Sequence, residues 1–291
     1  MAIDYNNRMA NIESAAELAE LAAQSDHGTS SAYWSVTLAN DIDMADYENW
    51  EGFTATSSTA WYMNFNGNGY TIYNLNGIYI SGNWGFFQFL HGNVKNLTIE
   101  DIGVSATGAV CGICYSHYSG SEIENVKVRG YLSGSNVYGL SYVPSGTVTA
   151  RKSSFSGSLI ATSSFYGLMN GGITNNCYVT CIEGNQARGS ANSFMVNGGR
   201  CNNCFFIGAV RYSGTSGNVR IASDNANYSY CVITNAAELL ASGYTYSGTP
   251  SQNAGVVFFD NTDGDYFDSS YGATKAQLQD AAWLREKGFA I

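Results

Sequence analysis

Apolar positions follow a helical rhythm only near the two ends of the chain. "AAELAELAA", residues 15–23, is a short amphipathic run, and Ser14 with Glu17 forms a capping box that predicts a helix start. Near the other end Asn235 with Glu238 caps "AAELLA", and Thr274 with Gln277 opens "TKAQLQDAAWLREKGFAI". There Leu278, Ala282 and Trp283 give an apolar stripe, and Gly288 sits where a helix stops. Between these helices the apolar residues come in short β-type runs, punctuated by Gly and Asn.

Those runs repeat. "GFFQFLHG", "GICYSHYSG", "GLSYVPSG", "GLMNGG" and "FMVNGG" align with reference positions Gly85, Gly112, Gly139, Gly167 and Met195, at intervals of 27, 27, 28 and 28. A second set, "KNLTIED", "ENVKVRG", "KSSFSGS", "NNCYVTC" and "NNCFFIG", aligns on Leu97, Val126, Ser154, Cys177 and Cys204, at intervals of 29, 28, 23 and 27. Asn96, Asn125, Asn176 and Asn203 precede four of these positions, and Ser153 fills the fifth place. Two registers with nearly one period predict a solenoid in which each unit is one coil. Coils stack about 4.8 Å apart, so like residues sit on like. Asn at a corner tolerates the left-handed conformation and forms hydrogen-bonded ladders; Gly turns the backbone sharply. The expected fold is all-β: a right-handed, single-stranded parallel β-helix of about 27-residue coils. The expected boundaries are an N-terminal arm and capping helix over 1–30, the solenoid over 31–233 and a C-terminal cap with helices over 234–291. The helices shield the open strand edges. Trp34, Trp50 and Trp61 fall in the first coils and are candidates for the terminal cap, and Ile3, Tyr5, Met9 and Ile12 for an anchor outside the solenoid.

The period changes the reading of the cysteines. Cys111 with Cys114, and Cys201 with Cys204, have the CxxC spacing of metal knuckles. Yet Cys177 and Cys204 share one register, which suits a buried ladder of small side chains. In an extended strand residues three apart face opposite sides, so Cys201 and Cys204 converge only across a turn. His27, His91 and His117 lie far from them in sequence. No metal and no other cofactor is expected, and Gly85, Gly112, Gly139, Gly167, the four asparagines, Cys177 and Cys204 are structural ladder positions.

Composition agrees with a folded β protein. Of 291 residues 45% are hydrophobic, Gly numbers 33, Pro only 2, and Tyr at 21 outnumbers Lys plus Arg at 13. The net charge of −10 is uneven: residues 103–223 hold three acids and eight bases, while both flanks are acidic. Scattered bases in an acidic chain do not form a nucleic-acid stripe. No apolar run is long enough to insert in a membrane, and the N-terminus "MAIDYNNRMANIES" lacks the apolar core of a signal peptide. Seven cysteines at irregular spacing do not form a secreted disulfide framework.

The order "IESAAELAELAA", "WSVTLANDIDMADYENW", "FNGNGYTIYNLNGIYISGNWGFFQFLHGNVKNLTIED" resembles the GLUG-type β-helix proteins, bacterial surface adhesin-like proteins and their phage-borne relatives. Phe65, Gly67, Gly69, Ile72, Asn74 and Leu75 match one element of that pattern. Gly85, Phe86, Phe87, Gly92, Val94, Asn96 and Leu97 match the next. The closing "TKAQLQDAAWLREKGF" is also similar. The resemblance implies a β-helix in a surface or adhesive setting, and it transfers no catalytic residue. With no secretion signal, the expectation is a virion protein made in the host cytoplasm: a tail fibre or adhesin-like appendage among other virion proteins. A homotrimer is expected by fold analogy alone.

An exposed face rich in Tyr, Ser and Asn suits a host-surface glycan, since rings stack on sugar faces and amides bond hydroxyls. One alternative is a capsid decoration or cement protein. Another is a tailspike-type polysaccharide-degrading enzyme, for which Glu122 and Glu124, two apart on a strand, are the candidate carboxylates. The non-enzymatic reading is preferred, because the body holds so few acids. Asp260, Asp263, Asp265 and Asp268 in "DNTDGDYFD" read as a solvated turn, with calcium as the alternative occupant.

Overall fold

The computed structural model describes residues 3–181, 187–189, 191–193, 196–197, 199–212, 219–220, 228–233, 256–259 and 275–286. Stacked parallel coils form a β-solenoid of about seven turns, about 27 residues apart. Val94 pairs with Ile123, Ile123 with Ala150, Ala150 with Thr174 and Thr174 with Cys201. A second row runs Trp84, Val110, Val137, Phe165, Asn192 and Val219. In the first row only Thr174 is polar, and all five side chains are buried. The buried apolar members of these rows, with Trp84, Val110, Val137 and Phe165 from the second, build one continuous apolar core along the axis.

The first corner is left-handed. Asn96, Asn125, Asn176 and Asn203 have φ of 52°, 53°, 53° and 48°. Asn125 donates its side-chain amide to Asn96 Oδ1 at 3.1 Å, and Asn203 to Asn176 Oδ1 at 2.7 Å. The fifth place belongs to Lys152, at φ 49°, and not to Ser153 as the sequence alignment predicts. Ser153 stands one residue later, in the buried row Leu97, Val126, Ser153, Cys177, Cys204, which also moves the reference position from Ser154. Ser153 matches the Asn row by residue type, but the backbone requires a left-handed corner one residue earlier, and Lys152 supplies it under strain. Lys152→Asn is expected to stabilise the fold by about 1 kcal/mol, by relieving that strain and joining the Asn125 and Asn176 amides. Urea unfolding checks this; an unchanged or lower midpoint contradicts it.

The residue after the corner performs a repeated task. Ser153 Oγ accepts from Val126 N at 3.1 Å and donates to the Arg151 carbonyl at 2.8 Å. Cys204 Sγ accepts from Cys177 N at 3.4 Å and donates to the Asn202 carbonyl at 3.4 Å. Cys177 Sγ donates to the Asn175 carbonyl at 3.3 Å and accepts from Ser153 N. A small side chain with one donor and one acceptor therefore satisfies two buried backbone groups per coil, which explains Ser and Cys at one register.

The glycine row is shorter than the alignment suggests. Gly112, Gly139 and Gly167 stack closely, since a Cβ on Gly139 would fall 1.9 Å from the Gly167 carbonyl oxygen. Gly85 pairs instead with Cys111, because the register shifts between Cys111 and Cys114. Met195 lies outside the described residues.

At the N-terminal end Ser14 Oγ caps the helix Ala15–Ala22 by accepting from Glu17 N, and Leu18 and Leu21 are buried against the solenoid. The arm is not outside the solenoid: Met9–Ile12 pairs parallel with Trp34–Leu38, and Ile3–Asp4 adds antiparallel to it. Ile3 and Ile12 are buried, while Tyr5 and Met9 are exposed. Trp34, Trp50 and Trp61 are core residues. Near the C-terminus Asp280 breaks the predicted helix into Lys275–Gln279 and Ala281–Glu286, its carboxylate capping Ala282 N at 2.8 Å. Among the described side chains of these helices Leu284 is buried, whereas Ala282, expected on the apolar stripe, is exposed and Trp283 half-buried. The expected helix at 236–241 and the acidic turn at 260–268 lie outside the described residues. No helix among the described residues is long and apolar enough to cross a membrane.

Candidate functional site

A second corner positions the largest groove described. Asn74, Asp101, Gly130 and Gly157 all have positive φ, at 62°, 53°, 138° and 139°. The first two carry side chains in the left-handed region; the two glycines sit where other residues rarely go. A Cβ on Gly130 would fall 2.1 Å from the Ile102 carbonyl oxygen, and one on Gly157 1.9 Å from that of Gly130. The close approach of coils thus excludes side chains here, and the bare corner becomes the floor of a groove of about 600 Å³. Asn76, Arg129, Tyr131, Ser156, Ser158 and Thr180 form its walls. Arg129 pairs with Glu100 in the coil below, and Thr180 donates to Ser156 Oγ at 2.7 Å. Tyr131, 42% exposed, is stacked in register between Gly103 and Ser158. Small neighbours on both sides leave its ring open.

A second groove lies on the coil face before the first corner. One part, about 360 Å³, is lined by Asn64, Asn66, Asn93, Lys95, Glu122 and Glu124; the adjoining part, about 230 Å³, by Tyr33, Gly92 and Ser119 to Ser121. Much of its polarity is spent on the fold, since Asn64 Oδ1 accepts from Asn93 N and Asn93 Oδ1 from Glu122 N. The candidate carboxylates sit in a charge ladder. Glu124 pairs in register with Lys95 on one side and Arg151 on the other, and Glu122 meets Arg151 at 3.7 Å. A general acid needs a carboxyl held protonated by burial or like charge. Here both carboxylates have cationic neighbours, and the Glu122 side chain is half exposed. Beside this groove His91 is sandwiched between Tyr62 at 4.5 Å and Tyr118 at 4.1 Å, rings almost parallel. The 27–29-residue period could have revealed that stack, because 62, 91 and 118 share one register.

The cysteine geometry is mixed. Cys111 belongs to a small outer cluster with Ala109 and Tyr138, while Cys114 enters the core, so this extended pair straddles the sheet. Cys201 and Cys204 flank the Asn203 corner and both point inward. Thr174 Oγ1 lies 3.2 Å from Cys201 Sγ and 3.6 Å from Cys204 Sγ. The two cysteines converge across a turn, because the left-handed Asn203 reverses the alternation of an extended strand. Burial pushes the Cys177 and Cys201 thiols well up, keeping them protonated donors. Among the described residues no three His, Cys, Asp or Glu side chains form a group that could hold a metal ion.

The histidines are likewise engaged. His27 contacts the carbonyls of Thr59 and Gln24. His117 is fully buried and bonds the Gly92 carbonyl through Nε2 at 2.9 Å, and Nδ1 meets no partner among the described residues. None of the three bonds a hydroxyl or thiol among the described residues. Burial lowers the pKa of His117 from 6.5 to about 4. The unfolded chain therefore binds a proton first, and stability is expected to fall as pH drops from 6.5 towards 4, by ~3 kcal/mol in all. His117→Leu should flatten that part of a pH–stability curve; an unchanged slope contradicts the assignment.

No protein-family model matches this chain, and no curated protein matches it. Among the solved structures similar to this chain are two IgA1 protease-type proteins. An IgA1 protease aligns over 88% of this chain and 22% of its own length, with 16% identity and a TM-score of 0.49. A Bacteroides ovatus protein assigned provisionally as an immunoglobulin A1 protease aligns over 80% of this chain and 86% of its own, with 15% identity and a TM-score of 0.41. The chain spans about a fifth of the first of these.

Proposed function

We propose that this β-helix is a non-enzymatic attachment protein that binds host-surface glycans, carried on a virion appendage of the tail-fibre kind. The observation that supports it best is the second-corner groove, whose lining joins an exposed tyrosine and two bare glycines to amide, hydroxyl and carboxylate groups. That combination offers a sugar ring one apolar face and several hydrogen-bond partners. The non-enzymatic part rests on the charge ladder around Glu122 and Glu124, and the virion setting on the resemblance to GLUG-type proteins. A glycan array with the purified protein tests the reading. Tyr131→Ala is expected to weaken binding about ten- to thirty-fold without loss of fold, the share of a central aromatic anchor. An array without a bound glycan, or binding untouched by Tyr131→Ala, contradicts it.

A further inference from the structure

We infer that the second-corner groove takes an extended, uncharged polysaccharide lying along the solenoid axis, with one sugar unit per coil. This rests on the glycan-binding reading and adds the ligand's direction, charge and length.

Direction follows from the lining. Asn74, Asp101, Arg129, Ser156 and Thr180 come from five successive coils, so the groove crosses the strands. At about 4.8 Å per coil, four steps span roughly 19 Å. One coil is close to the length of one pyranose unit in an extended chain, so successive sugars meet equivalent positions. Each coil presents at least one polar side chain there, while Gly130 and Gly157 keep the floor clear.

Charge follows from the same residues. Among the described residues Arg129, the cation in the lining, is paired with Glu100, and Asp101 adds a second carboxylate beside it. The local balance is negative, which disfavours uronate or sulfate groups. A carboxylate and a charge-compensated guanidinium still bond neutral hydroxyls well.

Calorimetric titration tests this with two series running from disaccharide to hexasaccharide: neutral cello-, chito- and manno-oligosaccharides, and acidic oligogalacturonates. Affinity for a neutral series should rise at least about ten-fold up to about five units and then level off. It should be nearly independent of salt. Ser158→Trp, which fills the groove from a half-buried wall position, should abolish it while the circular dichroism spectrum is kept. Tighter binding of the acidic series, or a disaccharide as tight as the hexasaccharide, overturns the inference and leaves glycan binding standing. Binding that survives Ser158→Trp moves the site elsewhere and overturns it too. Failure of every oligosaccharide overturns the inference, and an empty glycan array would separately overturn the reading beneath it.

Discussion

Replacing Gly157 with alanine is expected to remove more than about 4 kcal/mol of stability, enough to leave a domain of ordinary stability largely unfolded at 37 °C. Two effects coincide at this position. Its φ of 139° lies where side-chain-bearing residues are strained by about 1–3 kcal/mol. The added Cβ would also sit 1.9 Å from the Gly130 carbonyl oxygen, in a backbone locked by the coil below. Gly77→Ala separates the effects, because Gly77 has φ 70° but open space around its missing Cβ. It should cost only about 1–2 kcal/mol. Urea unfolding of the two variants side by side checks the difference. Equal losses would mean that the coils do not approach as described.

Phe53→Ala is expected to cost about 3–5 kcal/mol. Phe53 is reached by an excursion between Asp43 and Trp61, outside the regular rungs, and its ring is fully buried among five others. The centroids of Phe87, Trp61, Phe86, Trp50 and Phe65 lie 4.8, 5.5, 5.6, 6.0 and 6.3 Å away. The backbone is tied in as well, with Phe53 N bonding the Phe86 carbonyl and Gln88 N the Phe53 carbonyl. Truncation leaves a cavity that this clamped backbone cannot collapse into. Phe53→Leu should recover most of the loss. A calorimetric Tm for Phe53→Ala close to that of the parent would show that the excursion is not coupled to the core.

The coil and its period were legible because the corners impose residue chemistry. A left-handed position followed by a buried residue yields Asn-Leu, Asn-Val and Asn-Cys pairs at four of five turns, which survive even where the strands diverge. The errors fall where backbone and residue type disagree: Lys152 turns a corner that looks like an Asn place, and Gly85 drops out of its row where the register shifts. Cys201 and Cys204 converge because the Asn203 corner between them resets the strand alternation, a step that spacing alone leaves open. Phe53 was hidden because an excursion has no period. The groove was hidden for a different reason, since Gly130 and Gly157 define it by side chains they lack. Tyr131 became distinctive only once Gly103 and Ser158 were seen on either side of it.

The central claim is that the second corner, and not the carboxylate-bearing groove, is the binding surface. Hydrogen–deuterium exchange of the protein saturated with an array-identified glycan tests it most directly. The account predicts slowed exchange confined to peptides covering Asp101 to Gly103, Arg129 to Tyr131 and Ser156 to Ser158. Protection centred on Asn93 to Lys95 and Glu122 to Glu124, or no protection anywhere on the solenoid, would contradict it.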